Sequence, residues 1–265
     1  MIQSGCKGIV ALGSLGEGAT LTNSEKFEVL STLIRTLDGK APVIGSVSSL
    51  STHDAVEIAK AAESLGCKGL MVLPPYVYTG DWREMKTHIS AILSATSLTC
   101  MLYNNPIAYK TDFLPEQVAE LMAEHSNLNA IKESSADIRR IAALRSLVGD
   151  KLNILVGVDD LIVESIYAGA TGWIAGLVNA YPRESVELFN LATQGKKEEA
   201  AKLYHWFLPL LRLDTVPKFV QLIKYTQEVV GLGSGRMRPP RLELSEEEKE
   251  EVQVLVKVAS AERSH

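Results

Sequence analysis

The sequence predicts an α/β chain organised as a (β/α)8-type barrel with a C-terminal helical extension. Three observations carry that expectation. Seven short apolar runs recur along the chain at intervals of about 20 to 35 residues, one βα unit each. The runs are continuous rather than alternating, as strands covered on both faces are. Polar residues collect at the C-terminal ends of the whole set, and no GxGxxG or Walker-type loop follows any run, which favours a closed barrel over an open doubly wound sheet.

The runs are GIVALG (8–13), PVIGSVS (42–48), GLMVLPP (69–75), TCMLYNN (99–105), NAIKES (129–134), NILVGVD (153–159) and TGWIAGL (171–177). The turns SGCKG, LGCKG and AGATG enter three of them, each with a glycine suited to a left-handed helix end. Thr22 or Ser24 is placed to cap the helix EKFEVLSTLIRTL. In HDAVEIAKAAESLG, Val56, Ala59, Ala62 and Leu65 form the stripe expected to face the sheet. The barrel is assigned to residues 1–182. Residues 183–265 read as four further helices, expected to serve packing and oligomer contacts. Seven strands are one fewer than the fold predicts, so a first βα unit of about 30 residues is expected to be missing from this chain.

Composition narrows the function. The 265 residues are 46% hydrophobic and 22% charged, with a net charge of -5 and no basic run. Nucleic acid and anionic membrane surfaces are therefore not expected as partners. No apolar stretch approaches bilayer length, and the N-terminus lacks a signal-peptide pattern, so a cytoplasmic protein is expected. Cys6, Cys67 and Cys100 read as buried free thiols, and the scattered Cys and His residues give no metal-ligand spacing.

Chemistry in such barrels sits at the strand C-termini. Lys132 stands inside an apolar strand, where a charged amine is costly and an uncharged one is a nucleophile toward carbonyl or imine carbon. A structural lysine paired with Glu133 or Asp159 is the equally open alternative. Tyr103 ends the preceding strand within plausible reach of Lys132, to pass protons or to serve as a core aromatic. The GSLGEG turn offers backbone N–H groups and the Ser14 hydroxyl to a carboxylate.

Together GSLGEG, LYNNP, IKES, GVDD and GATGWIAG, in that order on successive strands, resemble the dihydrodipicolinate synthase / N-acetylneuraminate lyase family of Schiff-base enzymes over about residues 4 to 225. The resemblance implies a (β/α)8 barrel, a homo-oligomer (tetramer or dimer) and catalysis without a cofactor. It assigns the Schiff base to Lys132, proton shuttling and orientation of the bound carboxylate to Tyr103, and to Ser14 and the Leu15 backbone the holding of that carboxylate and the extension of the proton relay to Tyr103. Tyr76 matches a tyrosine that in some members reaches a neighbouring subunit's site, and the Ile174 carbonyl would face the substrate. Ala108 stands where dihydrodipicolinate synthases place an arginine. The combination with KESSADIRR and WIAGLVNAYPRESV is most similar to the Δ1-pyrroline-4-hydroxy-2-carboxylate deaminases, which release ammonia and leave 2,5-dioxopentanoate in hydroxyproline degradation. The alternative is a lyase, aldolase or dehydratase acting on pyruvate or another 2-oxo acid. Either way the partner is a small 2-oxo acid or cyclic imine carboxylate.

Overall fold

The computed structural model describes residues 1–263. In chain order the elements are β1 (Ile9–Ala11), α1 (Asn23–Leu37), β2 (Val43–Val47), α2 (Thr52–Leu65), β3 (Gly69–Val72), α3 (Trp82–Ser94), β4 (Thr99–Asn104), the single turn α4 (Pro106–Tyr109), and α5 (Pro115–Glu124). There follow β5 (Leu128–Glu133), α6 (Arg139–Val148), β6 (Asn153–Val156), α7 (Ile162–Tyr167), β7 (Gly172–Trp173), α8 (Pro182–Thr193), α9 (Lys197–Leu211), α10 (Phe219–Val229) and α11 (Glu246–Arg263). The seven strands form one parallel sheet in sequential order from β1 to β7. Each predicted apolar run supplies one of them. The N-terminal turn Ile2–Ser4 packs against α8, the helix that follows β7, so the two ends of the sheet approach one another.

Local sequence explains the boundaries. Thr22 caps α1 by accepting from the Glu25 N–H, while the Glu25 carboxylate accepts from the Thr22 N–H. Asp81 and Glu84 repeat that box at α3. Gly5, Gly66 and Gly169, one from each of the three similar turns, have φ of 106°, 99° and 109°, where any side chain would be strained. The stripe expected on α2 is rotated. Ala55, Ile58, Ala59 and Ala62 are the buried set, and Val56 and Leu65 lie at its flanks. Ala55 and Ile58 add the i+4 row that a strict three-residue count misses. Cys67 and Cys100 are buried as expected, but Cys6, in the loop before β1, is only half-buried. All three are free.

Two apolar clusters lie on the two faces of the sheet. The larger packs strand side chains such as Leu70, Val72, Leu102 and Ile131 against the helices, and extends without a break to Phe207, Leu210, Ile223 and Val256 of the helical extension. The smaller holds Met71, Leu73, Met101 and Tyr103, with Val10, Ile44, Ala130, Leu155 and Ile174 around them. Strand side chains alternate between faces, so Met71 with Leu73, and Met101 with Tyr103, project inward. Lys132 lies two residues beyond Ala130 and shares that inner face. No described helix is long and apolar enough to cross a membrane.

Candidate active site

The register of β4 against β5 sets the site. Tyr103 pairs with Lys132 and Asn104 with Glu133. Alternation sends the first pair inward and the second outward. The Lys132 Nζ lies 4.1 Å from the centroid of the Tyr103 ring. A cation over an aromatic face is held by the ring quadrupole, which fixes the amine at the strand ends. Lys132 makes no salt bridge among the described residues, so neither pairing left open by the sequence is formed. Glu133 faces the other way. It accepts from Asn104 Nδ2 (3.1 Å) and the Ser135 N–H (2.6 Å). Burial still holds its carboxyl above the usual range. Asn104 also accepts from the Phe113 N–H, and Asp112 binds Arg140 through two bonds of 2.6 Å. This outer network pins the segment 104–113 to β5 and so fixes Tyr103 from behind.

Asp159 is fully buried and receives the Trp173 indole N–H (3.0 Å), the Gly176 N–H (3.1 Å) and the Leu177 N–H (2.7 Å). Those donors favour the carboxylate, yet burial pushes its pKa up to about 6, while the Lys132 charge acts to lower it. Asp159 thereby ties the end of β6 to the turn after β7 and contributes a negative charge near Lys132.

Ser14 lies in the turn after β1. Its Oγ meets the Tyr109 hydroxyl at 2.7 Å, not that of Tyr103. Tyr109 stands edge-on to Tyr103, with centroids 5.7 Å apart, and 5.9 Å from Tyr76. Burial, then the neighbouring Tyr103, holds the Tyr109 phenol well above its ordinary range, so it stays protonated. The Tyr103 hydroxyl accepts from Asn105 Nδ2 at 3.1 Å. The path expected from Ser14 to Tyr103 therefore runs through Tyr109, which the sequence did not single out. Leu15 turns its side chain into the outer core, leaving only its backbone for a ligand. Ile174 packs on the inner cluster beside Tyr103 and Tyr109. Tyr76 is half-buried against Tyr109 of its own chain. Lys132, Tyr103, Ser14, Tyr76 and Ile174 thus gather at one end of the sheet, while Leu15 contributes its main chain alone.

The Ser14 turn is clasped from the far end of the chain. Lys224 Nζ binds the Glu17 carboxylate at 2.6 Å, the Arg238 N–H donates to the same group at 2.9 Å, and the Arg238 guanidinium donates to the Thr20 carbonyl and to Glu25. The groove lined by Leu50, Thr52, Pro75, Arg83 and His88 shares no residue with this cluster.

Residues 1–259 match the sequence profile of the Dihydrodipicolinate synthetase family. The chain belongs to the dihydrodipicolinate synthetase family. It is similar to the 4-hydroxy-tetrahydrodipicolinate synthase of Desulforudis audaxviator, with 31% identity over 259 residues, covering 98% of this chain and 88% of the relative. The corresponding synthase of Methanococcus maripaludis is 29% identical over 253 residues, covering 96% and 87%. Among solved structures, dihydrodipicolinate synthase from Aquifex aeolicus superposes with a TM-score of 0.94 at 25% identity, covering 98% of this chain and 88% of that one. As a member of the dihydrodipicolinate synthetase family, the protein is an enzyme of the lysine Schiff-base class with the barrel fold.

Proposed function

We propose that the protein is a Schiff-base deaminase that converts Δ1-pyrroline-4-hydroxy-2-carboxylate to 2,5-dioxopentanoate and ammonia. The observation that carries the chemistry is the single lysine on the inner face, with Nζ over Tyr103 and no salt-bridge partner among the described residues. Ser14 and the backbone of its turn are the proposed carboxylate seat. Lys132 attacks C2 of the cyclic imine, the ring nitrogen leaves as an amine on C5, and an iminium forms between C2 and Nζ. The iminium acidifies C3. Tyr103, packed on Tyr109, which in turn bonds Ser14, takes and returns protons at that carbon. Loss of the C4 hydroxyl as water and tautomerisation give an imine at C5, which water hydrolyses to aldehyde and ammonia, and a second water hydrolyses the C2–Nζ iminium to the 2-oxo group and frees Lys132.

Ala108 supports this substrate over a second charged one. It is exposed and carries no guanidinium for a second carboxylate. The synthase reading, with pyruvate as substrate, is favoured instead by what the curated relatives are named. The test is ammonia release from the hydroxypyrroline carboxylate, with borohydride trapping and peptide mass mapping of Lys132. Consumption of an aldehyde with trapped pyruvate, and no ammonia, decides for the synthase reading.

The Tyr109→Phe protein is expected to lose about 10²-fold in kcat, the low end of a general acid–base contribution, with its trapped adduct retained. Stopped-time trapping beside steady-state assays checks this. Unchanged kcat removes Tyr109 from the proton path.

A further inference from the structure

Asp214 enters the site from the helical extension. It ends the 3-10 turn that follows α9, and α10 begins just beyond it. Its side chain is half-buried and makes no hydrogen bond or ion pair among the described residues. The carboxyl group lies directly over Gly176, where a Cβ on that glycine would overlap it. The Gly176 N–H donates to Asp159, so the two carboxyl groups flank the same peptide. Lys132 acts on the charge of both.

The two acids are not equivalent. Asp159 has three N–H donors and Asp214 has none. Two carboxylates this close to one another cannot both ionise freely, and the proton settles on the one without donors. Asp214 is accordingly held well above the usual carboxyl range, first by burial and then by the Asp159 charge.

A third polar group lies beside the Lys132 stem. The Ser134 hydroxyl is 2% exposed and has no hydrogen-bond partner. It stands on the Lys132 face of the strand end. A Cβ on Gly157 would overlap its Oγ and lie 2.5 Å from the Lys132 Cε. A buried hydroxyl left unpaired costs free energy unless something polar occupies the space before it. The missing Cβ at Gly157 leaves the room that Ser134 Oγ and the Lys132 stem fill, and the missing Cβ at Gly176 leaves the room that the Asp214 carboxyl fills.

We infer that Asp214 is the general acid that protonates the oxygen leaving C4 of the Lys132-bound substrate. The inference rests on the deaminase reading and deepens it. The C3 proton passes to Tyr103, and the electron pair of the C3–H bond forms the enamine. That pair then makes the C3–C4 double bond while the C4–O bond breaks. The departing oxygen takes the proton of Asp214 and leaves as water. Asp214 regains a proton from solvent, as Tyr103 returns one. The carboxyl comes from outside the strand ends, which places acid and base on separate elements around the same lysine.

The Asp214→Asn protein tests this, because the amide keeps the shape and loses the proton. With the hydroxypyrroline carboxylate its turnover is expected to fall on the order of 10²-fold or more. Borohydride should then trap an adduct on Lys132 that still carries the substrate hydroxyl. Trapping with pyruvate, which has no hydroxyl to lose, should match the native protein. Ammonia release within about threefold of native overturns the inference, since a general acid is worth more than that. So does loss of the pyruvate adduct, which would make Asp214 a support for Lys132 rather than an acid. A native protein that releases no ammonia defeats the deaminase reading itself, and is distinguishable because Asp214 is intact there.

Discussion

Lys132→Ala is expected to abolish trapping by borohydride with every 2-oxo acid or cyclic imine tested, and to lower turnover on the order of 10⁴-fold or more, as loss of a covalent nucleophile does. The same substitution should leave the fold in place. Lys132 has no salt bridge to break among the described residues, and its contact with the Tyr103 ring is worth about 0.5–2 kcal/mol. Removing the amine also relieves nothing at Glu133, which is bound on the opposite face. Circular dichroism and denaturant midpoint close to native, with no adduct by mass, is the expected pair of results. Retained turnover in this variant would remove the Schiff base from the mechanism.

Gly157→Ala is expected to affect both rate and stability, although residue 157 carries no reactive group. Its Cβ would overlap the Ser134 Oγ and stand 2.5 Å from Cε and 2.9 Å from Cγ of Lys132. Both neighbours are side chains, so both can move, and the movement takes Nζ off the Tyr103 ring. A displacement of about 1 Å at a reacting group costs roughly 10²-fold in rate. Overpacking of this kind costs about 1–3 kcal/mol in stability. The expected outcome is a folded protein with a lower denaturant midpoint and trapping slowed on the order of 10²-fold. Native trapping kinetics would show that the lysine stem yields to a Cβ at residue 157 without displacing Nζ.

How much of this could be read from sequence follows from where each contact is made. The strands were legible because parallel strands covered on both faces must be apolar throughout, and all seven runs satisfied that. Lys132 and Tyr103 were legible because each interrupts such a run. Their outward partners, Glu133 and Asn104, sat in the same motifs, but nothing in a one-dimensional reading separates the inward residue from the outward one. The register of β4 against β5 does. Tyr109 escaped notice because its partner Ser14 is 95 residues away and its own helix is a single turn. Asp214 is not legible because the extension's sequence implies only packing and oligomer contacts, and only the fold returns residue 214 to the turn after β7. The α2 stripe was misplaced by a fraction of a turn, the error expected when three-residue spacing stands in for a period of 3.6.

The clasp on Glu17 has a consequence for biosynthesis. The turn that seats Ser14 leaves the ribosome early, yet Arg238 donates to it across 221 residues and Lys224 across 207. Chain-distant contacts form late, since the entropy of closing so long a loop must be met before they return anything. A nascent chain can therefore assemble its lysine strand and its aromatic trio while the proposed carboxylate seat is still unlatched. Competence to bind a carboxylate should arrive only with the final helices, as the last part of the enzyme to mature.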